Sequence, residues 1–161
     1  SGSNIVIINK YLLDNIERDV PSMMSYKVHI EKDSSFNTPP VFPIYCILLN
    51  LRLIKDQGLE NITTNNNLKA KLIYNEIDRN SCFNGFSSIS DRSFMNATFN
   101  LNDGLDAEIF NSICLNNNIS GINGHRSVGG YRASIYNALP LDSVEILVKC
   151  MQEFESNYIK S

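Results

Sequence analysis

The sequence predicts an α/β fold, and two patterns in its 161 residues indicate this. Apolar residues recur at helical spacing in several segments, of which 41–57 and 141–151 are the clearest. Between such segments, apolar and polar residues alternate with the period of two that is typical of strands, as over 94–101. Helices that alternate with strands along one chain favour a layered α/β domain, and the length suits one domain of ordinary size.

Composition excludes several classes of protein. Hydrophobic residues make up 43% of the chain, with 8 glycines and 5 prolines, so it is neither disordered nor collagenous. The best apolar run, 41–54, is interrupted by Pro43, Asn50 and Arg52 and is too short and polar to cross a membrane. A net charge of −3 and a pI near 5.3 argue against a dedicated nucleic-acid binder. We therefore expect no membrane and no nucleic acid among its partners.

The cysteines indicate a reduced, cytoplasmic protein without a metal site. They are widely spaced and form neither a C-x-x-C pair nor a disulfide framework. His29, Glu31 and Asp33 could share one side of an extended segment, but the alternation of an exposed strand explains them without a metal. We therefore expect no bound metal.

The first forty residues predict little regular structure. The β-branched run at 5–8 is typical of a strand that is buried on both faces, and 11–16 predicts a short helix. Residues 21–40 are predicted to be irregular or extended, with a half-exposed strand at 26–31.

Two helices are predicted in the middle of the chain. Asn37-Thr38-Pro39-Pro40 predicts a helix start with Thr38 as N-cap, and the helix runs over 41–57 to Gly58. A second helix is predicted over 68–78, with Leu68, Leu72, Ile73 and Ile77 on one face. The polar tract 63–67 predicts a break before it.

The remaining segments alternate between strands and helices. A strand is predicted at 94–101 and a helix at 105–115. Strand-like segments at 119–122 and 132–136 bracket the glycine-rich stretch 121–130, and a last helix follows Pro140.

The glycine-rich segment is the main candidate binding site. From residue 109 to residue 141 the chain contains no Asp or Glu, and this gap holds His125, Arg126 and Arg132. Arginine forks and glycine backbone amides suit carboxylate or phosphate, so the two arginines could converge on a doubly anionic small molecule. The alternative is a solvent-facing loop whose arginines pair with acids elsewhere in the fold.

Asn37 and Thr38 form a second candidate anion site. They precede the start of a predicted helix, where free N–H groups and the helix dipole favour negative charge. Simple capping of the helix is the other interpretation.

Three segments resemble the phosphoserine aminotransferase family, which belongs to the class-V, fold-type I aminotransferases. They are Pro21-Ser22-Met23-Met24-Ser25-Tyr26-Lys27-Val28-His29 followed by Asn37-Thr38-Pro39-Pro40, then the run from Asp91 to Phe99, and above all the run from Gly124 to Ala138. They occur in family order and cover most of the chain.

The resemblance implies a transaminase that depends on pyridoxal 5'-phosphate. It implies transfer of an amino group between glutamate and 3-phosphohydroxypyruvate in serine biosynthesis, with a related role in pyridoxine biosynthesis in bacteria. It also implies that His125 and Arg126 contact the substrate phosphate and that Arg132 binds the α-carboxylate. Asn37 and Thr38 would reach the cofactor phosphate of the other subunit of a homodimer.

The resemblance also implies a division of the chain. Residues 1–20 would be a remnant of the large cofactor-binding domain, and 21–161 the small C-terminal domain, a mixed sheet with helices packed on it. The Schiff-base lysine would lie upstream, because no lysine here has the family's sequence context; no catalytic residue is thus assigned, and we expect the chain to be inactive alone. The alternative is a non-catalytic anion-binding or dimerisation module derived from the same domain.

Overall fold

The computed structural model describes residues 2–124 and 129–159. The chain separates into two units, which meet at residues 56 and 57. The first unit contains two short helices, α1 (Lys10–Asp14) and α2 (Tyr26–Glu31), and most of the longer α3 (Val41–Gln57). Among its described residues, Leu13 is the buried hydrophobic side chain.

Two predictions for the first unit were wrong. Residues 5–8 form no strand, since no described residue pairs with them, and Ile7 is 96% exposed. Residues 26–31 form helix α2 and not a strand: the Ser25 hydroxyl accepts a hydrogen bond from the Val28 N–H at 3.4 Å and caps the helix. In a segment of six residues, alternation of apolar and polar side chains does not distinguish a strand from one and a half helical turns.

Helix α3 has the predicted bounds, but Thr38 is not its N-cap. The first α3 hydrogen bond to a residue before the helix runs from the Ile44 N–H to the Pro40 carbonyl, at 3.1 Å. Because a residue that precedes proline avoids the helical region, Thr38 and Pro39 stay outside the helix. Gly58 then ends α3 with a φ of 81°, a conformation that favours glycine.

The second unit begins with a single long helix, α4 (Leu59–Arg79), so the predicted break at 63–67 was wrong. Most of that tract faces solvent, where polar side chains in a helix cost little. The predicted apolar face is confirmed for Ile73 and Ile77, which are buried, whereas Leu68 is 49% exposed. Packing of the C-terminal half of α4 therefore stabilises the whole helix, including its polar first turns.

A three-stranded sheet lies at the centre of the second unit. Its order is β1 (Phe83–Gly85), β2 (Asn96–Leu101), β3 (Tyr131–Ser134), and the described strands pair only antiparallel, where a mixed sheet was expected. The α/β class is confirmed. The sequence did not predict β1, because a strand of three residues is too short to show a period.

Helices α4, α5 (Ala107–Asn116) and α6 (Leu141–Ile159) enclose the core with the sheet. Its centre is aromatic: the Phe110 ring lies 5.0 Å from the rings of both Phe83 and Tyr131 and 5.4 Å from that of Phe154, centroid to centroid. These pairs approach edge to face, the geometry that aromatic quadrupoles prefer. Tyr131 therefore anchors β3 in the core.

An acidic network joins the end of α4 to α6. Arg79 donates to Glu76 at 2.6 Å and to Glu155 at 2.9 Å, and Glu155 also accepts from the Ser81 backbone N–H at 2.8 Å. Asn80 donates to Glu76 at 2.8 Å and to the Met151 carbonyl at 3.1 Å. Burial alone would raise the pKa of Glu155, but the hydrogen bonds from Ser81 and Arg79 outweigh it and hold that pKa below its ordinary value. We call these residues the acidic network.

The cysteines form no disulfide in the described residues. Cys82, Cys114 and Cys150 are buried as free thiols, and Cys46 is half-buried. Within 2–124 and 129–159, no three His, Cys, Asp or Glu side chains are grouped closely enough to hold a metal ion. None of the helices in this described part is long and apolar enough to cross a membrane.

Candidate functional site

Strand β3 presents Arg132 on the open face of the sheet. Tyr131 and Ala133 are buried under the helices, whereas Arg132 and Ser134 alternate outward and are exposed. The Arg132 N–H donates to the Ile122 carbonyl at 2.7 Å, and on the other side Arg132 pairs with Thr98 of β2. The backbone of Arg132 is therefore fixed from both sides of the strand.

The Arg132 side chain faces a cavity of about 450 Å³. Segment 117–122, residues 132–135 and the first turns of α6 line this cavity, and the lining includes Ser143 and Ser134, whose hydroxyl donates to the Asn96 side chain at 3.4 Å. Among the described residues, the Arg132 guanidinium forms no ion pair and no hydrogen bond. A guanidinium without a described partner at the wall of a cavity suits a carboxylate, which accepts two parallel hydrogen bonds from the planar fork.

The glycine-rich loop is closed at its base, next to Arg132. The Gly124 N–H donates to the Gly130 carbonyl at 2.8 Å. Gly129 and Gly130 have φ values of 75° and 64°, and a Cβ on Gly130 would collide with the Asn100 side chain, so only glycine fits there. Of the predicted anion-binding residues, His125 and Arg126 lie outside the described residues.

Asn37 and Thr38 belong to the first unit and are both exposed. They lie just before α3, and the Asn37 side-chain amide donates to the Thr38 carbonyl at 3.3 Å. Two backbone amides of the first turn, those of Val41 and Phe42, point out of this end of the helix, since Pro43 has none. A hydroxyl, a side-chain amide and free N–H groups form a donor set that suits a phosphate.

Sequence reasoning missed Lys69, although its position on the predicted helix carries a signal. Lys69 is only 2% exposed, and its ammonium donates to the Ile135, Tyr136 and Leu139 carbonyls at 3.2, 2.6 and 3.1 Å. Burial lowers its pKa. Lys69 lies four residues before Ile73 and eight before Ile77, on the buried stripe of α4, and a lysine on an apolar stripe is the available signal.

Asn66 lies one turn before Lys69 and reaches the same segment. Its side-chain amide donates to the Asn137 side chain at 2.7 Å. We call Asn66 and Lys69 the α4 clamp, and residues 135–139 the exit turn of β3.

The arrangement of this sheet, its helices and its arginine-bearing strand is shared with a known family. The class-V aminotransferase model matches residues 2–147, and the chain belongs to that family. The relatives carry a more particular name. A phosphoserine aminotransferase of Flavobacterium psychrophilum is 50% identical over 157 residues, and one of Azobacteroides pseudotrichonymphae is 45% identical over 163 residues.

These matches cover 97% and 99% of the chain but only 44% and 45% of those relatives, so the chain spans less than half their length. A solved phosphoserine aminotransferase, studied for radiation damage of its Schiff base, superposes with a TM-score of 0.82 at 44% identity, over 92% of this chain and 42% of that one. The enzyme of Trichomonas vaginalis with bound PLP gives a TM-score of 0.77 at 34% identity, over 85% and 40%. The similarity thus extends along nearly the whole chain.

Proposed function

We propose that this chain is the C-terminal part of a phosphoserine aminotransferase. The complete enzyme would transfer the amino group of glutamate to 3-phosphohydroxypyruvate, giving phosphoserine and 2-oxoglutarate in serine biosynthesis, and in bacteria a similar reaction would serve pyridoxine biosynthesis. The observation that carries the proposal is the Arg132 guanidinium, exposed and without a partner among the described residues, close to the Gly124–Gly130 hydrogen bond, in a chain 44–50% identical to proteins of that name.

Each substrate of this reaction carries two anionic groups, and these would bind at two separate sites on the chain. Arg132 binds the α-carboxylate that both the amino-acid and the keto-acid substrates share. His125 and Arg126 shortly precede Gly129 and Gly130 in the sequence. They bind the phosphate of the phosphorylated substrate or the distal carboxylate of glutamate. Both binding sites contain a guanidinium, the group best suited to planar and tetrahedral anions.

Pyridoxal phosphate fits the donor set in the first unit. Asn37 and Thr38 would hold its phosphate across the interface of a homodimer, with the hydroxyl and amide donors described above. When bound, the cofactor supplies an electron sink for the carbon that carries the amino group. The chain's own contribution is to anchor both ends of the substrate and one end of the cofactor in a cytoplasmic enzyme, with 1–20 belonging to the large domain and 21–161 to the small one.

The central test is Arg132→Ala in the intact gene product. A charge-assisted hydrogen-bond pair to a carboxylate is worth about 1.5–3 kcal/mol, so KM should rise about 10- to 100-fold for glutamate and for 3-phosphohydroxypyruvate alike. Steady-state kinetics with each substrate varied in turn measures this. Glu145→Ala on the exposed side of α6 is the control and should match wild type. A KM that rises for one substrate only would contradict the role of Arg132.

The proposal also places the cofactor-binding lysine outside these 161 residues. We expect that mixing the chain with pyridoxal phosphate, followed by borohydride reduction, labels no lysine stoichiometrically. Peptide mass spectrometry checks this, with the intact gene product as positive control. Stoichiometric label on one lysine of the chain would refute this part of the proposal.

A further inference from the structure

The α4 clamp contains a buried ammonium without a carboxylate partner among the described residues. Lys69 is 2% exposed, and no described ion pair includes it. An ammonium has three hydrogens, and the three carbonyl oxygens of the exit turn, at 2.6–3.2 Å, accept all of them. Burying a charged side chain costs free energy that an apolar side chain would not cost. The hydrogen bonds to these three carbonyls are therefore the contribution that a lysine makes at this position and an apolar residue could not.

Besides the packing of Ile135 and Leu139 on the core, few other described hydrogen bonds hold the exit turn. The Ile135 N–H donates to the Met95 carbonyl at 2.9 Å, and the Leu139 N–H donates to the Tyr136 carbonyl at 3.0 Å. Asn66 of the clamp binds Asn137 at 2.7 Å. Two side chains of α4, three residues apart on one face, thus fasten the segment that leads from β3 to α6.

The position of the clamp matters because β3 is short and unevenly supported. At Arg132 the strand is flanked on one side by β2 and on the other by the Ile122 carbonyl. Ala133 and Ser134 pair with Ala97 and Asn96 of β2, and Lys69 then binds the carbonyl of Ile135, three residues after Arg132. A strand of four residues transmits a shift at its end to the residues inside it.

We infer that Lys69 is a positioning residue, which sets the place of the Arg132 guanidinium by fixing the exit turn of β3. The inference rests on the proposed function for the role of Arg132. Lys69 does not touch the substrate; it acts through the backbone. A binding group must lie within about 0.5 Å of its productive position, and a small displacement of β3 would weaken the carboxylate contact without altering the chemical step.

The experiment uses the intact gene product with pyridoxal phosphate and three variants. Lys69→Met keeps the length of the side chain and removes its donors; we expect KM for glutamate to rise about 10-fold, with kcat changed less than about twofold. Asn137→Ala, which removes only the Asn66 contact, should raise KM about threefold. Lys71→Met, the exposed lysine two residues along α4, is the matched control and should match wild type.

A second readout is hydrogen exchange, which needs no activity. In Lys69→Met the amides of Ile135, Leu139 and Arg132 should exchange at least about 10-fold faster, while that of Ile44 in α3, which belongs to the other unit, keeps its rate. Faster exchange at 135 and 139 with unchanged KM and an unchanged Arg132 amide would overturn the inference.

The remaining outcomes are also decisive. If Lys69→Met does not fold, Asn137→Ala decides: an unchanged KM and an unchanged Arg132 amide overturn the inference. If the wild-type protein shows no aminotransferase activity, the proposed function fails. The clamp is then judged on the Arg132 amide alone, which must exchange faster in the variant.

Discussion

Helix α4 carries two buried polar groups that solve the same problem in opposite ways. At its C-terminal end, the acidic network pairs both carboxylates, those of Glu76 and Glu155, with the single guanidinium of Arg79, whose side chain is 52% exposed. In the middle of the helix, the α4 clamp buries the Lys69 ammonium and satisfies it with carbonyl oxygens alone.

The difference follows from what each group joins. The acidic network joins helix to helix, α4 to α6, where side chains are available on both sides. The clamp joins a helix to a turn, whose free groups are backbone carbonyls and therefore attract a cation. Arg79 brings the acidic network into contact with water, whereas the Lys69 ammonium is buried, so the two should respond differently to mutation, pH and salt.

The largest expected effect is the loss of folding stability when a substitution removes the charge of Lys69 or of Glu155. Lys69→Met leaves one buried and two partly buried carbonyls without their donor and should lower the free energy of unfolding by about 3 kcal/mol. Glu155→Gln keeps the shape of the side chain and weakens charge-assisted hydrogen bonds, and should cost about 1–2 kcal/mol. Denaturant melts at pH 7 measure both. Equal losses would show that the two groups are energetically alike.

The pH dependence should separate them further. The pKa of Glu155 is lowered in the folded state, so its contribution is present above the unfolded value of 4.5 and is lost as pH falls through the folded value. The pKa of Lys69 is lowered too, so the unfolded chain holds more protons below 10.5 and stability gains as pH rises towards that value. The difference in unfolding free energy between wild type and Glu155→Gln should therefore become smaller at acidic pH. The difference between wild type and Lys69→Met should become larger at alkaline pH. Melts of each variant against wild type across pH test both signs, and a margin that does not change with pH would contradict the assignment.

The smallest effect is the response to salt. Screening weakens exposed ion pairs, so 1 M NaCl should reduce the wild-type margin over Glu155→Gln by about 0.5 kcal/mol or less. The margin over Lys69→Met should not move, because the Lys69 ammonium is buried and its partners are uncharged carbonyl oxygens. A salt-sensitive clamp would mean that water reaches Lys69.

Sequence reasoning succeeded where local chemistry decides structure. Gly58 and the proline pair bounded α3 correctly, and the alternation around Arg132 gave the strand that carries it. It failed where long-range contacts decide: Asn66 lies in a tract that predicted a break, yet it is buried against Asn137, 71 residues away. Lys69 was missed for the same reason, because its three acceptors are separated from it by 66 to 70 residues and no local pattern contains them.

The alternation of β3 has a consequence for how this segment can vary. Tyr131 is buried and its hydroxyl donates to the Asn111 side chain at 3.2 Å, while Arg132, the next residue, faces outward. Deleting or inserting one residue between Gly130 and Arg132 would exchange these positions, burying a guanidinium and exposing a core aromatic ring. The number of residues between Gly130 and Arg132 therefore cannot change without reversing which side chains are buried. Homologous enzymes and designed variants can change length elsewhere in their loops, but not in this step.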